Sequence, residues 1–355
     1  MALKRKCDVM KYHSDAVDRE PGYAELRRQL ETLRASSRRA PLTSVTRIPV
    51  VVHVVYANEE QNVSEQQIHE QIKILNQDFR SKNIDISNTP AVFQPLIADA
   101  LIEFQLAVQD PTGKPTTGIL RYQTTTAQYP VASVPPNTAR GTIIDPELKL
   151  GSQGAVAWPR DDYLNIWICN MGGDPLGYAA WPASAAWRDG IVIDYRAFGR
   201  SGTAEYPFDG GRTATHEIGH WLNLLHIWGD DNGACSHSDN ISDTPNQASA
   251  NEGLPVFPSI SCNNGPNGDL FMNFMDYVND GSMVMFTKGQ VARMHAALQG
   301  PRAGILQSQG LQAANFSSLG SLHSARMMIA HSSHPEQLEQ MTDIFDGVTW
   351  VPINE

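Results

Sequence analysis

A chain of 355 residues with 41% hydrophobic content can bury a substantial core, as one large domain with appendages or as two domains. Its 27 basic and 38 acidic side chains give a net charge of -11, which argues against nucleic acid or an anionic membrane as the main partner. No apolar run reaches the roughly 18 residues that a membrane helix needs, so no span is expected, and Met1 to Glu20 lacks the apolar core of a signal peptide, so these residues do not themselves show secretion.

The charge is unevenly placed. Residues 1–40 carry ten basic and six acidic side chains, net +4, which against a total of -11 leaves -15 for the remainder, so a basic N-terminal segment precedes an acidic body that should attract it. Residues 1–46 read as a polar lead around Arg5, Lys6, Cys7 and Asp8, a helical stretch from Tyr23 to Leu33, and a polar end at Ser36–Pro41. That texture suits a pro-segment or linker more than a domain. Ile48 to Tyr56 is β-branched and almost continuously apolar, as in a strand buried on both faces, and His53 within it reads as a core histidine. Ser64 and Gln67 form a capping box ahead of Ile68, Ile72, Leu75 and Phe79 at helical spacing, which predicts a helix lying on a sheet. Strands are expected at Ile102–Val108, Leu164–Cys169 and Gly190–Tyr195, with a long irregular stretch from Thr124 to Arg160.

The chemistry concentrates in Thr215-His216-Glu217-Ile218-Gly219-His220, followed by Trp221-Leu222-Asn223-Leu224-Leu225-His226. On a helix His216 and His220 share one face and make a two-point metal clamp, while Glu217 can reach a water on that metal as a general base. His226 can join them only if the chain breaks and turns back, and Asn223, tolerant of the left-handed conformation, is where it could do so. Three neutral imidazoles leave a fourth zinc position open for that water. Beyond His226 comes a loop-rich stretch to Asp269. Cys235 and Cys262 bracket its middle, and Asp239, Asn240, Asp243 and Thr244 offer clustered oxygen ligands suited to calcium. Four cysteines are too few for a disulfide framework, though one bridge is reasonable, and Cys169 reads as an inert core thiol. Thr287 to Gln290 caps a helix through about Leu298, after which only Gln337 to Phe345 suggests order.

With that motif and Asn273-Phe274-Met275-Asp276-Tyr277, Leu164 to Cys169 and Leu176 to Ala179, the chain resembles the pappalysin family of metzincin zinc endopeptidases, particularly its ulilysin-like microbial members, over residues 46–300. The resemblance implies an α+β fold with an α/β-like N-terminal subdomain of twisted sheet, backing helix and active-site helix (47–222) above an irregular C-terminal subdomain (223–300). A pro-segment (1–46) and an extension of unknown role (301–355) flank it. It implies zinc on His216, His220 and His226, Met275 beneath them, and Tyr277 stabilising the tetrahedral intermediate. A Cys235–Cys262 disulfide, structural calcium at Asp239 and Thr244 with Asp243 beside them, and an extracellular location also follow. The family usually has Gly where Asn223 stands, and a second disulfide of close relatives has no counterpart here. Asp280 stands where an acidic residue selects Arg, or Lys, after the scissile bond, which makes the bonds before Arg38, Arg39 and Arg47 candidates for self-cleavage. Protein or peptide substrates are the expected partners, with the pro-segment as an intramolecular inhibitor. Latency could come from Cys7, or alternatively Asp8, filling the fourth zinc position. Two other classes stay open: a binding protein with a structural or inactive zinc site, and a zinc hydrolase acting on bonds other than peptides.

Overall fold

The structure, a computed structural model, describes residues 5–36, 41–130, 145–173, 175–231 and 233–313. Its elements in chain order are helices α1 (Val9–Arg19) and α2 (Tyr23–Ser36), strand β1 (Thr46–Tyr56), helix α3 (Glu65–Phe79), strands β2 (Ile102–Leu106) and β3 (Ile119–Gln123), and helix α4 (Asp145–Leu150). Strands β4 (Leu164–Cys169), β5 (Gly177–Ala179) and β6 (Ile191–Asp194) precede helix α5 (Arg212–Trp221), and strands β7 (Glu252–Gly253) and β8 (Tyr277–Val278) precede helix α6 (Lys288–Leu298).

The predicted strand at Ile48–Tyr56 becomes the middle of a mostly parallel sheet. One side of β1 pairs first with β2, through Thr46 to Val50, and then with β3, through Val52 to Tyr56; its other side pairs with β4. β6 follows, and β5 closes the order as an antiparallel edge. Val50, Val52 and Val54 are fully buried on one face and Val51 on the other, which is why apolarity runs through this strand without alternation. His53 is buried among them, donating from Nε2 to Asn165 Oδ1 over 3.0 Å and stacking on Trp167. Burial pushes its pKa down to about 4, as expected of a neutral core histidine.

α3 lies against this sheet on Ile68, Leu75 and Phe79, all fully buried, with Ile72 half-buried beside them. Only half of its expected capping box forms. Ser64 accepts from the Gln67 N–H at 3.2 Å, but the Gln67 side chain is drawn away to the Phe198 carbonyl at 2.7 Å and to Thr203. A buried amide answers a loop carbonyl there, which outweighs a cap that water could serve. At α6 the box is complete between Thr287 and Gln290.

Sequence patterning missed α1, β3 and α4, and β5 was marked only by the family resemblance at Leu176 to Ala179. It also set the C-terminal boundary too early. Residues 301–313 belong to the body: Ile305 is in the core, and buried Arg302 pairs with Asp189 at 2.8 Å and donates to the Trp221 carbonyl at 2.6 Å, capping the end of α5. Gln337 to Phe345 lie outside the described residues. None of the described helices is long and apolar enough to cross a membrane.

Candidate metal centre and active site

α5 is fixed at both ends before it presents any ligand. At its start the Arg212 guanidinium pairs with Asp78 of α3, and the Thr215 hydroxyl donates to the same carboxylate at 2.6 Å. At its end Leu222 N–H reaches the Ile218 carbonyl, and Asn223 then turns the chain with φ +75°. Its N–H bonds the His220 carbonyl at 2.8 Å and the next N–H, of Leu224, bonds Gly219 at 2.9 Å, so the helix stops in the left-handed manner expected of Asn. That reversal returns His226 to the face that carries His216 and His220.

Each imidazole has its Nδ1 against an acceptor: the Phe274 carbonyl for His216 (2.8 Å), the Leu224 carbonyl for His220 (2.9 Å) and the Asp230 carboxylate for His226 (2.9 and 3.0 Å). These acceptors put the proton on Nδ1 and leave the Nε2 lone pairs facing one another. His220 Nε2 lies 3.1 Å from the Nε2 atoms of both His216 and His226. Three buried lone pairs at that separation repel unless a cation sits among them. Three nitrogens about 2.0–2.1 Å from a tetrahedral zinc would stand roughly 3.3 Å apart, so the donor set fits that ion. Burial, then the neighbouring rings, hold His216 and His220 well below the ordinary imidazole pKa, in the neutral form that binds metal. Trp228 stacks on His226, its ring centroid 4.3 Å away, and Met275 packs below α5. A Cβ on Gly219 would come within 2.4 Å of the Met275 sulfur, which accounts for glycine inside the motif.

The N-terminal segment occupies the remaining side. Cys7 Sγ joins the three imidazole nitrogens in one group whose donor atoms all lie within 4.8 Å of one another. The thiol donates to Glu217 Oε2 at 3.3 Å and accepts from the Val9 N–H at 3.4 Å. Burial, together with the Glu217 charge, raises the Cys7 pKa well above its usual value, an effect that a cation among the four donors would reverse. Burial likewise pushes Glu217 up to about 8, with the Cys7 hydrogen bond pulling the other way. The Tyr277 hydroxyl accepts from the Cys7 N–H at 3.1 Å and donates to the Cys7 carbonyl at 3.2 Å. Asp8, the alternative ligand, is outside this group: its carboxylate pairs with Lys11 at 3.0 Å.

Asp280 lies buried beside the start of α5, accepting from the N–H groups of Gly210 (2.7 Å) and Arg212 (3.1 Å). Its ion-pair partner is Arg5, which also donates to the Val278 carbonyl at 3.0 Å and lies over the Phe208 ring. The expected specificity pocket thus holds an arginine, two residues before Cys7. Between Arg5 and Asp8 the segment runs beside β5: Leu176 N–H reaches the Lys6 carbonyl at 3.0 Å, Asp8 N–H reaches Gly177 at 3.2 Å, and Cys7 bridges Gly177 in parallel. Arg47 sits inside β1, 3.5 Å from Glu103, so the bond before it is already in the sheet. Arg38 and Arg39 lie outside the described residues.

The expected calcium cluster is only partly assembled. Asp239 is buried, with Oδ1 accepting from Ile241 N–H and the Thr244 hydroxyl (3.0 and 2.7 Å), Oδ2 without a protein partner, and a pKa pushed by burial to about 7. Asp243 does not belong to it. Its two oxygens accept from the Thr287 hydroxyl and the Gly289 N–H, both at 2.8 Å, at the start of α6, where a helix terminus attracts a carboxylate. Asn240 is exposed. Cys235 and Cys262 are bonded, with Cα atoms 5.5 Å apart, and Cys169 is buried in β4. The sequence reading missed Asp230 and Trp228, although Asp230 follows His226 at four residues, a usable signal for a ligand's hydrogen-bond partner. It also missed the role of Arg5, which no local pattern marks.

Residues 153–299 match the peptidase family described as Pregnancy-associated plasma protein-A. The chain is 30% identical over 295 residues to Extracellular metalloprotease 1 of Coccidioides posadasii, covering 80% of this chain and 88% of that one. It is also similar to a solved mutant of promirolysin from Tannerella forsythia (44% identity, TM-score 0.76, 86% of this chain and 97% of that one). Mature mirolysin in complex with a cleaved peptide gives 49% identity and a TM-score of 0.69, over 75% and 97% of the two chains.

Proposed function

This chain belongs to the pappalysin family of metalloendopeptidases, and on that premise we propose that residues 1–46 are a pro-segment keeping a zinc endopeptidase latent until it is cut away. The observation that carries this reading is the meeting of Cys7 Sγ with His216, His220 and His226 beside Glu217. His216, His220 and His226 would hold the zinc, with the Cys7 thiolate as fourth ligand in the latent form. When bound, the metal supplies a Lewis acid that polarises a carbonyl and acidifies water to a pKa of about 7.

The chain's own groups supply the rest. Departure of Cys7 frees Glu217 Oε2, which takes the proton of the attacking water and returns it to the leaving nitrogen. It also frees the Tyr277 hydroxyl, whose hydrogen bond is then available to the developing oxyanion. Asp280, now paired with Arg5, is available to an arginine, or lysine, side chain following the scissile bond. The edge of β5 offers Leu176 N–H and the Gly177 carbonyl to a substrate backbone. The pro-segment uses the same edge in parallel, whereas a peptide pairing antiparallel, with its arginine in the same pocket, would run the opposite way. The latent segment therefore presents its carbonyls in the wrong order for hydrolysis. Asp239 and Thr244 would bind a structural calcium through the oxygen that lacks a protein partner. Secretion agrees with the disulfide and with the extracellular naming of the Coccidioides relative.

Incubation with casein and with Arg-containing peptides, with and without a chelator, tests the reading. Chelator-sensitive cleavage before arginine is expected. Metal retention with no peptide hydrolysis would favour a binding protein instead.

A further inference from the structure

The face of the body under α1 and α2 concentrates positive charge among aromatic rings. Arg188 has its guanidinium carbon 3.9 Å from the centroid of the Tyr12 ring and pairs with Asp15 and Glu20, each at 3.0 Å. Lys149, fully buried, donates to the Arg188 carbonyl at 2.7 Å, with its ammonium 4.5 Å from the Trp167 ring centroid and 5.4 Å from that of Tyr178. Buried cations need anionic or aromatic partners. Both of these carboxylates and the stacked Tyr12 ring belong to the N-terminal segment, so its removal takes these partners from Arg188 and leaves the Trp187 ring, 5.4 Å from the guanidinium carbon, on the side of the body.

The place of this patch along the cleft follows from the path of the segment. Arg5 is on Asp280, Cys7 at the histidines and Asp8 on Gly177, and Tyr12 then meets Tyr178 with ring centroids 5.0 Å apart before Asp15 and Glu20 reach Arg188. A peptide lying antiparallel to β5 with its arginine on Asp280 would direct the residues before its scissile bond over this same ground. We infer that Arg188, supported by Lys149, is a specificity-determining residue that receives an aspartate or glutamate side chain a few positions before the scissile bond. The inference rests on the peptidase reading and on the departure of residues 1–46. Asp15 and Glu20 are on this account stand-ins for the substrate carboxylate, as Arg5 is for the substrate arginine.

The test uses the enzyme after it has processed itself, with matched peptides that contain one arginine and carry Glu or Gln at each of the second to sixth positions before it. A charge-assisted pair at a partly desolvated arginine corresponds to roughly a tenfold preference. We expect kcat/KM to favour Glu about tenfold at one or two positions, mainly through KM. Arg188→Gln should bring the Glu peptide down to the level of its Gln partner, and Arg188→Lys should keep part of the difference; thermal unfolding of each variant checks its integrity. Equal rates for Glu and Gln peptides in the unmutated enzyme, or a preference that survives Arg188→Gln, would overturn the inference and leave Arg188 as a latch for the pro-segment. Cleavage of neither peptide would remove the peptidase reading itself, and this inference with it.

Discussion

The helix that carries His216 and His220 is buried along its whole length, whereas the N-terminal segment that covers it is buried on one side only, and the two are held by different forces. His216, His220 and His226 are oriented by two carbonyls and a carboxylate of the same body, with Met275 beneath and Trp228 alongside. The segment is held by charge and by single anchors: Arg5 on Asp280, Cys7 at the histidines, Arg188 on Asp15 and Glu20, and Arg27 on Asn223 Oδ1 at 2.6 Å. A packed fold keeps its geometry when one contact is lost. The segment adds to these polar anchors a short apolar stripe of Val9, Tyr12 and Ala16, so a cut in the chain can release it while the acceptors that orient the three histidines stay within the body.

Substitutions on the two sides should therefore differ in kind. Glu217→Ala, on the body side, should lower peptide hydrolysis by roughly a hundred- to ten-thousand-fold while zinc content and melting temperature stay near those of the parent; turnover at the parental rate would dismiss Glu217 as the base. Arg5→Ala, on the segment side, leaves the buried Asp280 carboxylate without its partner, at a cost of about 3–5 kcal/mol to the closed form. Purified precursor should then convert itself markedly faster, read as the lag before peptidase activity, whereas an unaltered lag would show that Arg5 does not hold the segment.

The body should show its own sensitivity to acid. His53 stays neutral in the fold with a pKa of about 4 against an ordinary 6.5, so the unfolded chain takes up a proton first as pH falls. Stability is complete above about pH 6.5 and declines by up to roughly 3 kcal/mol towards pH 4. Urea unfolding of His53→Gln should decline less over that range, and identical slopes would show that His53 contributes nothing to it. The smallest effect is at the boundary of the two regions. Asn223→Gly relieves a left-handed asparagine but removes the contact to Arg27, so it should leave the processed enzyme unchanged or up to about 1 kcal/mol more stable. The released segment should inhibit that variant less well than the parent, and equal inhibition would remove Asn223 as an anchor.

What could be read from the sequence follows the same division. The meeting of His216, His220 and His226 was legible because helix pitch fixes the spacing of the first two, and because Asn223 marks the turn that recovers the third. β1 was legible from its unbroken β-branched run. In the segment α2 was legible from Tyr23 to Leu33, and α1 was not. α1 buries Val9, Tyr12 and Ala16, a short stripe that becomes apolar surface only against Tyr178 and Trp181 of the body. β5 is Gly-Tyr-Ala, three residues without β-branching, and is a strand only because β6 pairs with it. Arg5 and Asp280 stand 275 residues apart, beyond any local pattern. Asp243 was misread for a related reason: clustered oxygens look alike whether they await a cation or cap a helix.

Whether Cys7 completes the zinc shell of the latent chain can be read from X-ray absorption at the zinc edge of the unprocessed protein. One sulfur at about 2.3 Å with three nitrogens at about 2.0–2.1 Å is expected, and Cys7→Ala should lose the sulfur and activate itself faster. A shell of nitrogen and oxygen alone in the unprocessed parent would contradict this ligation.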